Sequence, residues 1–208
     1  MDTVAVIDFE TTGISPDAGA RATEIAAVLV RDGRVVGRYQ SLMNAGAWVP
    51  PFIEQLTGIT NEMVRAAPPA AKVMREVADF VGAHPMVAHN ASFDCRFWDA
   101  ELGRIRKARV QAFACTMLLA RRIYPEAPNH KLGTLVEFAG LPVAGRHHRA
   151  LADAEMAASL LLKLEQELER RFGLGPITHE LLREIQSSSR HAMRECIARH
   201  GGQTSTRG

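Results

Sequence analysis

Two carboxylates stand one residue apart at the end of the first apolar run, Val4-Ala5-Val6-Ile7-Asp8-Phe9-Glu10. The run is short and β-branched and is followed by Thr11-Thr12-Gly13, so it reads as a buried strand entering a turn. Strand side chains alternate between faces, which sets Asp8 and Glu10 on one side and Phe9 on the other. Two strand residues span roughly 6.8 Å, so both carboxylates can reach one cation. Acids side by side repel and are costly to bury unless something positive offsets them. On this segment alone, solvated acids at an exposed strand end are an equally good account.

A site for a hard divalent cation needs more oxygen donors than two. Asp94 is the best third donor, because it falls in the first turn of an expected helix just after the short strand Met86-Val87-Ala88. Compensation of the helix dipole, worth about 0.3–1 kcal/mol, is the ordinary reason for an acid there. Asp153 is the fourth, in the stretch His147-His148-Arg149-Ala150-Leu151-Ala152-Asp153. Five helical steps would set His148 and Asp153 about 140° apart, on different faces. With Asp153 in the first helical turn and His148 on the preceding loop, both address one site. His147 reads as an ordinary surface or core histidine.

The elements that must position these residues follow from periodicity and punctuation. Residues 24–31 and 35–43 are apolar-rich runs separated by Asp32-Gly33-Arg34, a hairpin turn, so the first three strands form an antiparallel meander. A loop over 45–52 follows, and Pro68-Pro69 opens a helix through residue 81. Ser92 is expected to cap a helix over 93–105. A short strand over 111–114 precedes helices over 116–123 and 132–139. Ala150–Phe172 is the longest helix, with Ala154, Ala158, Leu161 and Leu164 on one face. Gly173-Leu174-Gly175-Pro176 breaks it, and an amphipathic stretch over 177–199 follows, interrupted at Ser187-Ser188-Ser189. Residues 201–208 are expected to be disordered. No repeat of twenty to fifty residues is present, and strands alternating with helices after a meander indicate a mixed α/β layered sheet.

The 208 residues suit one domain with an appendage: 1–172 as the main unit and 173–208 as a helical extension with a disordered end. The net charge of +2 is carried by the tail, since residues 1–162 hold 17 basic and 17 acidic side chains. Bulk charge therefore does not advertise a polyanion partner, and any such site must be a local patch. Cys95, Cys115 and Cys196 form no C-x-x-C pair, which argues against a disulfide framework or a zinc site and fits a reducing cytoplasm. No apolar run approaches a membrane span, so no membrane partner is expected.

Asp8-Phe9-Glu10-Thr11-Thr12-Gly13, His89-Asn90-Ala91-Ser92-Phe93-Asp94 and His148-Arg149-Ala150-Leu151-Ala152-Asp153 resemble, in order and spacing, the three motifs of the DEDDh 3′→5′ exonucleases. This is the group that includes the proofreading epsilon subunit. The likeness runs from about Val4 to Leu162, and the sister group with a Tyr near the last acid is disfavoured because His148 takes that role. The resemblance implies a ribonuclease H-like mixed sheet, antiparallel strands 1–3 plus shorter parallel strands, flanked by helices. It implies that Asp8, Glu10, Asp94 and Asp153 hold two Mg²⁺ or Mn²⁺ ions, with His148 as general base. Two ions about 3.5–4 Å apart clamp the attacking and leaving oxygens at phosphorus, and an imidazole with an ordinary pKa near 6.5 suits proton removal.

By the same resemblance, Thr11, Thr12 and Gly13 contact the terminal nucleotide, Leu56 in Leu56-Thr57-Gly58-Ile59 wedges against the last base, and Asn90 and Phe93 line the pocket. Phe93 reads equally well as a core residue. Arg146 and Arg149, flanking the proposed base, are candidate phosphate contacts, whereas Arg104, Arg106, Lys107 and Arg109 read better as a solvated surface. The partner implied is nucleic acid with a free 3′ end, single-stranded by preference and DNA over RNA, with a polymerase or repair complex as company. Two alternatives stay open. An RNA-trimming exoribonuclease would share all five side chains, because contacts to the 2′-hydroxyl come from loop residues. A non-catalytic nucleic-acid-binding accessory module would keep the fold without turnover. The extension either packs back on the domain, which is the default for an amphipathic segment, or pairs with a second copy or a polymerase, leaving the oligomeric state open.

Overall fold

Strand β1 (Val4–Thr11) lies at the middle of the sheet because both of its faces are apolar. Val4 and Val6 enter one core, and Ala5, Ile7 and Phe9 enter the other. The computed structural model describes residues 3–142, 148–189 and 191–204. Strands β2 (Ala22–Arg31) and β3 (Arg34–Leu42) complete the antiparallel meander. Asp32 and Gly33 between them both have positive φ, 51° and 72°, the conformation a tight two-residue hairpin demands. Strands β4 (Met86–Ala88) and β5 (Phe113–Cys115) add in parallel on the other side of β1, giving the order β3-β2-β1-β4-β5. The mixed sheet expected from the sequence is the one observed.

Helices α1 (Pro51–Thr57) and α2 (Asn61–Ala66) begin within the loop expected over 45–52 and occupy residues beyond it to which the sequence assigns no element. Their signals are local and sequence-visible: Pro51 opens α1, Gly58 closes it with φ 73°, and the Thr60 side chain caps α2 by accepting from Met63 N. Leu56-Thr57-Gly58-Ile59 is thus a helix end and not an open loop. Helix α3 (Ala70–Val81) and helix α4 (Ala91–Arg104) cover the β1 face that carries Ile7 and Phe9. Helix α4 begins two residues earlier than expected, and Ser92 lies inside it. Asn90 at the helix start takes φ 64°, and that left-handed residue turns the chain without a side-chain cap.

Helices α5 (Thr116–Ile123), α6 (Leu132–Phe138) and α7 (Ala150–Phe172) cover the opposite face. Ala154, Ala157 and Ala158 let α7 lie close on β1 and β2, while Leu161, Leu164 and Leu168 fill the core further along. Helices α8 (His179–Ser187) and α9 (Met193–Thr204) add Leu181, Leu182, Ile185, Met193 and Ile197 to that same core, so the amphipathic tail packs back. The backbone of α9 stays helical to Thr204, past the point where disorder was expected to begin. Gln186 of α8 lies along the outer edge of β5: Cys115 N donates to Gln186 Oε1 at 2.6 Å, and Gln186 Nε2 donates to Phe113 O at 3.3 Å. Cys115 and Cys196 are buried and Cys95 is half-buried, all as free thiols. Among the described residues no helix is long and apolar enough to cross a membrane.

Glu165 is a misfit on α7, only 8% exposed. Burial, helped by Glu169, pushes its carboxyl up to about 7. A carboxyl raised on folding contributes stability below its unfolded pKa of about 4.3 and loses it as the pH rises through the folded value. Glu165→Gln should therefore gain melting temperature relative to the parent progressively as the pH rises from about 4.3 to about 7, and hold that gain above it. Parallel melting curves across this range would show that the carboxyl is solvated.

Candidate active site

Strand alternation puts Asp8 and Glu10 on the α7 side of the sheet, in register with Ala26 and Glu24 of β2. Strand β4 pairs with β1 only at Ala5 and Val6 and ends at Ala88. Beyond that point a side chain replaces the strand: Phe9 N donates to Asp94 Oδ1 at 3.2 Å. Asp94 is buried in the first turn of α4, so the short strand and the early helix start together carry its carboxylate to the end of β1. A crevice at the carboxyl ends of strands, where the chain departs to either side, is where α/β sheets bind ligands.

The fourth acid arrives from the opposite side. Asp153 is buried in the first turn of α7, and its Oδ2 accepts from His148 N at 2.9 Å. His148 is exposed, precedes the helix, and holds φ 62°, a left-handed value uncommon for a residue with a side chain. One ligating atom from each of Glu10, His148 and Asp153 lies within 4.8 Å of the others.

This clustering has an electrostatic cost. Burial raises the Asp8 carboxyl well above the carboxylate range, and Asp94, Glu10, Asp153 and Glu24 raise it further. Glu10 is pushed up to about 8 by burial, Asp153 and Glu24, with Arg149 opposing. Burial also raises Asp94, against the bond it accepts from Phe9. Two negative charges 4.8 Å apart repel by about 3.5 kcal/mol at an effective dielectric of 20, a large share of a domain's stability of about 5–15 kcal/mol. Crowded, mutually repelling carboxylates beside one exposed imidazole suit hard divalent cations.

The remaining expected contacts are distributed around this pocket. Thr11 is buried and its hydroxyl donates to Gly13 O at 2.7 Å; Thr12 Oγ1 accepts from Arg21 N at 3.0 Å. A side chain at Gly13 would press on Ala20 Cβ at 3.3 Å. Leu56 is half-exposed at the end of α1, and a small core of Val49, Ile53, Ile59 and Val64 packs that helix on Leu42, the register partner of Glu24. Asn90 is exposed, whereas the half-buried Phe93 ring packs against Phe97 at a tilt, with centroids 4.9 Å apart. Arg146 and His147 lie outside the described residues. In the more distant basic run, Arg104 pairs with Glu101, Lys107 with Asp79 and Arg109 with Asp99.

Two residues escaped the sequence reading. Glu24 is the lone acid in an otherwise apolar strand, 1% exposed, and Arg149 grips it through Nη2–Oε1 at 2.8 Å and Nε–Oε2 at 3.1 Å. A single acid in a buried run was the signal. Ile14, directly after Gly13, is 82% exposed beside the acidic end of β1, and an apolar residue just past a turn glycine was the only hint. On the other flank Arg21 binds Glu101 of α4 in the same two-pronged way, at 2.8 and 3.0 Å.

Because Asp8, Glu10 and Asp94 are raised on folding, they weaken the metal-free protein as the pH rises from about 4 through about 8. In EDTA at about pH 8, the value to which Glu10 is shifted, Asp8→Asn should melt above the parent, and Mn²⁺ should raise the parent more than the variant. A parent melting curve indifferent to excess Mn²⁺ and Mg²⁺ would sink the cation assignment.

Residues 5–161 match the family model for exonucleases of the RNase T type. A PolC-type DNA polymerase III of Oceanobacillus iheyensis is 39% identical over 168 residues, which is 80% of this chain and 12% of the polymerase. The chain thus spans about an eighth of the PolC-type curated relatives it matches. The DNA polymerase III epsilon subunit of Aquifex aeolicus is 32% identical over 174 residues, 83% of this chain and 85% of the subunit. Among solved structures, Exonuclease X in complex with 5′ overhanging duplex DNA is 29% identical with a TM-score of 0.66, covering 83% of this chain and 95% of that one. The resemblance carried by three short acidic motifs extends over residues 5–161, and the chain belongs to the RNase T-type exonuclease family, the DEDDh exonucleases.

Proposed function

We propose that this chain removes nucleoside 5′-monophosphates stepwise from the 3′ end of single-stranded nucleic acid, DNA in preference to RNA. The observation that carries this reading is the convergence of Asp8, Glu10, Asp94 and Asp153 from three separate elements beside His148. Those four carboxylates would hold Mg²⁺ or Mn²⁺, which supply Lewis acidity at phosphorus and ease ionisation of a water. His148 takes the proton of the attacking water. Its exposure gives access to solvent, and its bond from the backbone to Asp153 fixes its distance from the acids.

Thr11, Thr12 and Gly13 present a rigid backbone edge to the terminal nucleotide, because the turn is pinned by its own hydroxyls and by Arg21. Leu56 offers an apolar surface for the last base, Asn90 a free-standing amide, and Phe93 the pocket wall. Arg146 and Arg149 are the basic residues nearest the base in the chain. The DNA preference is supported by the epsilon-subunit relative and by the DNA-bound Exonuclease X neighbour. The relatives also support work in the cytoplasm alongside a replicative polymerase. In this reading residues 1–172 do the chemistry, and within the 173–208 extension the described helices α8 and α9 buttress the α7 side of the core.

Matched single strands of DNA and RNA, labelled at the 5′ end, should shorten by one nucleotide at a time in Mn²⁺ or Mg²⁺ and not in EDTA, with DNA cut faster. Asp8→Ala, Asp94→Ala and Asp153→Ala should each abolish release, and His148→Ala should slow it by roughly 10²–10⁴-fold with binding largely spared. Faster cutting of RNA would make the chain an exoribonuclease. Tight binding without shortening would make it an accessory module.

A further inference from the structure

We propose that the Glu24–Arg149 pair is a positioning device that sets the first turn of α7, and with it His148 and Asp153, against Asp8 and Glu10; this rests on the exonuclease reading. Glu24 accepts four hydrogen bonds: from Arg149 Nη2 and Nε, from Ala150 N at 3.1 Å, and from Gln40 Nε2 at 2.8 Å. A carboxylate has about four lone-pair sites, so none is left for a cation. Glu24 is therefore not a fifth ligand, although it faces Glu10 across the ladder.

Its contacts say what it does instead. Arg149 is the N-cap residue of α7 but makes no capping bond of its own. The cap comes from β2, because Glu24 takes the free N–H of Ala150, one of the four donors a helix start leaves unpaired. The planar guanidinium adds a two-pronged grip with fixed direction. Helix α7 is thus tied to β2 by one backbone and two side-chain bonds within two residues. His148 lies between this tie and its own bond to Asp153, and its left-handed φ of 62° is the strain that two such anchors sustain. Arg149, assigned to phosphate on sequence grounds, has two donors committed to Glu24 and only a third of its side chain exposed.

The test uses the full chain and the variants Glu24→Gln, Arg149→Met, Arg149→Lys and the Glu24→Gln/Arg149→Met double. The readouts are kcat and KM on single-stranded DNA, and the rise in melting temperature on adding Mn²⁺ alone. Glu24→Gln and Arg149→Met should each lower kcat about 10–100-fold, as loss of an orienting partner does, with KM within about twofold. Both should blunt the Mn²⁺ response, Arg149→Lys should restore part of it, and the double variant should be no worse than the singles. A raised KM with intact kcat for Arg149→Met, and a silent Glu24→Gln, would return Arg149 to phosphate binding and overturn the proposal. So would lower melting temperatures with unchanged kcat and unchanged Mn²⁺ response, the mark of a merely structural pair. If the parent cuts no substrate, the exonuclease reading fails by itself. The Mn²⁺ response then decides the pair, and equal responses in parent and variants overturn it.

Discussion

Mutual repulsion among buried carboxylates is the constraint around which this molecule is built. Asp8 and Glu10 share a strand face, and Asp94 and Asp153 are brought to them from opposite sides of the sheet. Nothing in that arrangement is self-supporting. The cohesion comes from elsewhere: two apolar cores sandwiching β1, and alanines that allow α7 to sit close on the sheet. Fully buried aliphatic side chains contribute about 1.5–3 kcal/mol each, so a handful of them outweighs the local repulsion.

Polar ties then convert bulk cohesion into accurate placement. The two helices that deliver acids, α4 and α7, are each bound to the start of β2 by an arginine–glutamate fork. On one side Arg21 before the strand holds Glu101 of the helix. On the other, Glu24 of the strand holds Arg149 at the helix start, with the donor and acceptor roles exchanged between strand and helix. Strand β2 thus acts as the reference from which both carboxylate-bearing helices are measured. Arg21 further reaches Ala45 O at 2.8 Å, which draws in the loop leading to α1 and the Leu56 surface.

Most of the architecture was legible in the chain because its determinants are local. The β-branched run at Val4, the Asp-Gly turn and the alanine-lined stripe of α7 each announce their element within a few residues. The four acids and His148 were legible for a different reason: their spacing within three short motifs is a pattern, whatever lies between. Helices α1 and α2 were passed over because, at seven and six residues, they are too short for periodicity to announce, although Pro51 and Gly58 mark the boundaries of the first. Ser92 was a poor guide to the start of α4, since a left-handed Asn90 performs the reversal that a capping hydroxyl was expected to mark. Glu24 stood out only as a lone acid in an apolar run, because its role depends on Arg149, 125 positions away. No window of sequence contains both.

The Gln186 amide lies at the β5 rim of the sheet. By offering one acceptor and one donor to Cys115 and Phe113, it imitates a single residue of a neighbouring strand. At these two residues the β5 border of the sheet is thereby covered by a side chain, where other proteins recruit a further strand or bury charge at the rim. One amide thus withdraws a backbone donor and a backbone acceptor of β5 from pairing with a further strand.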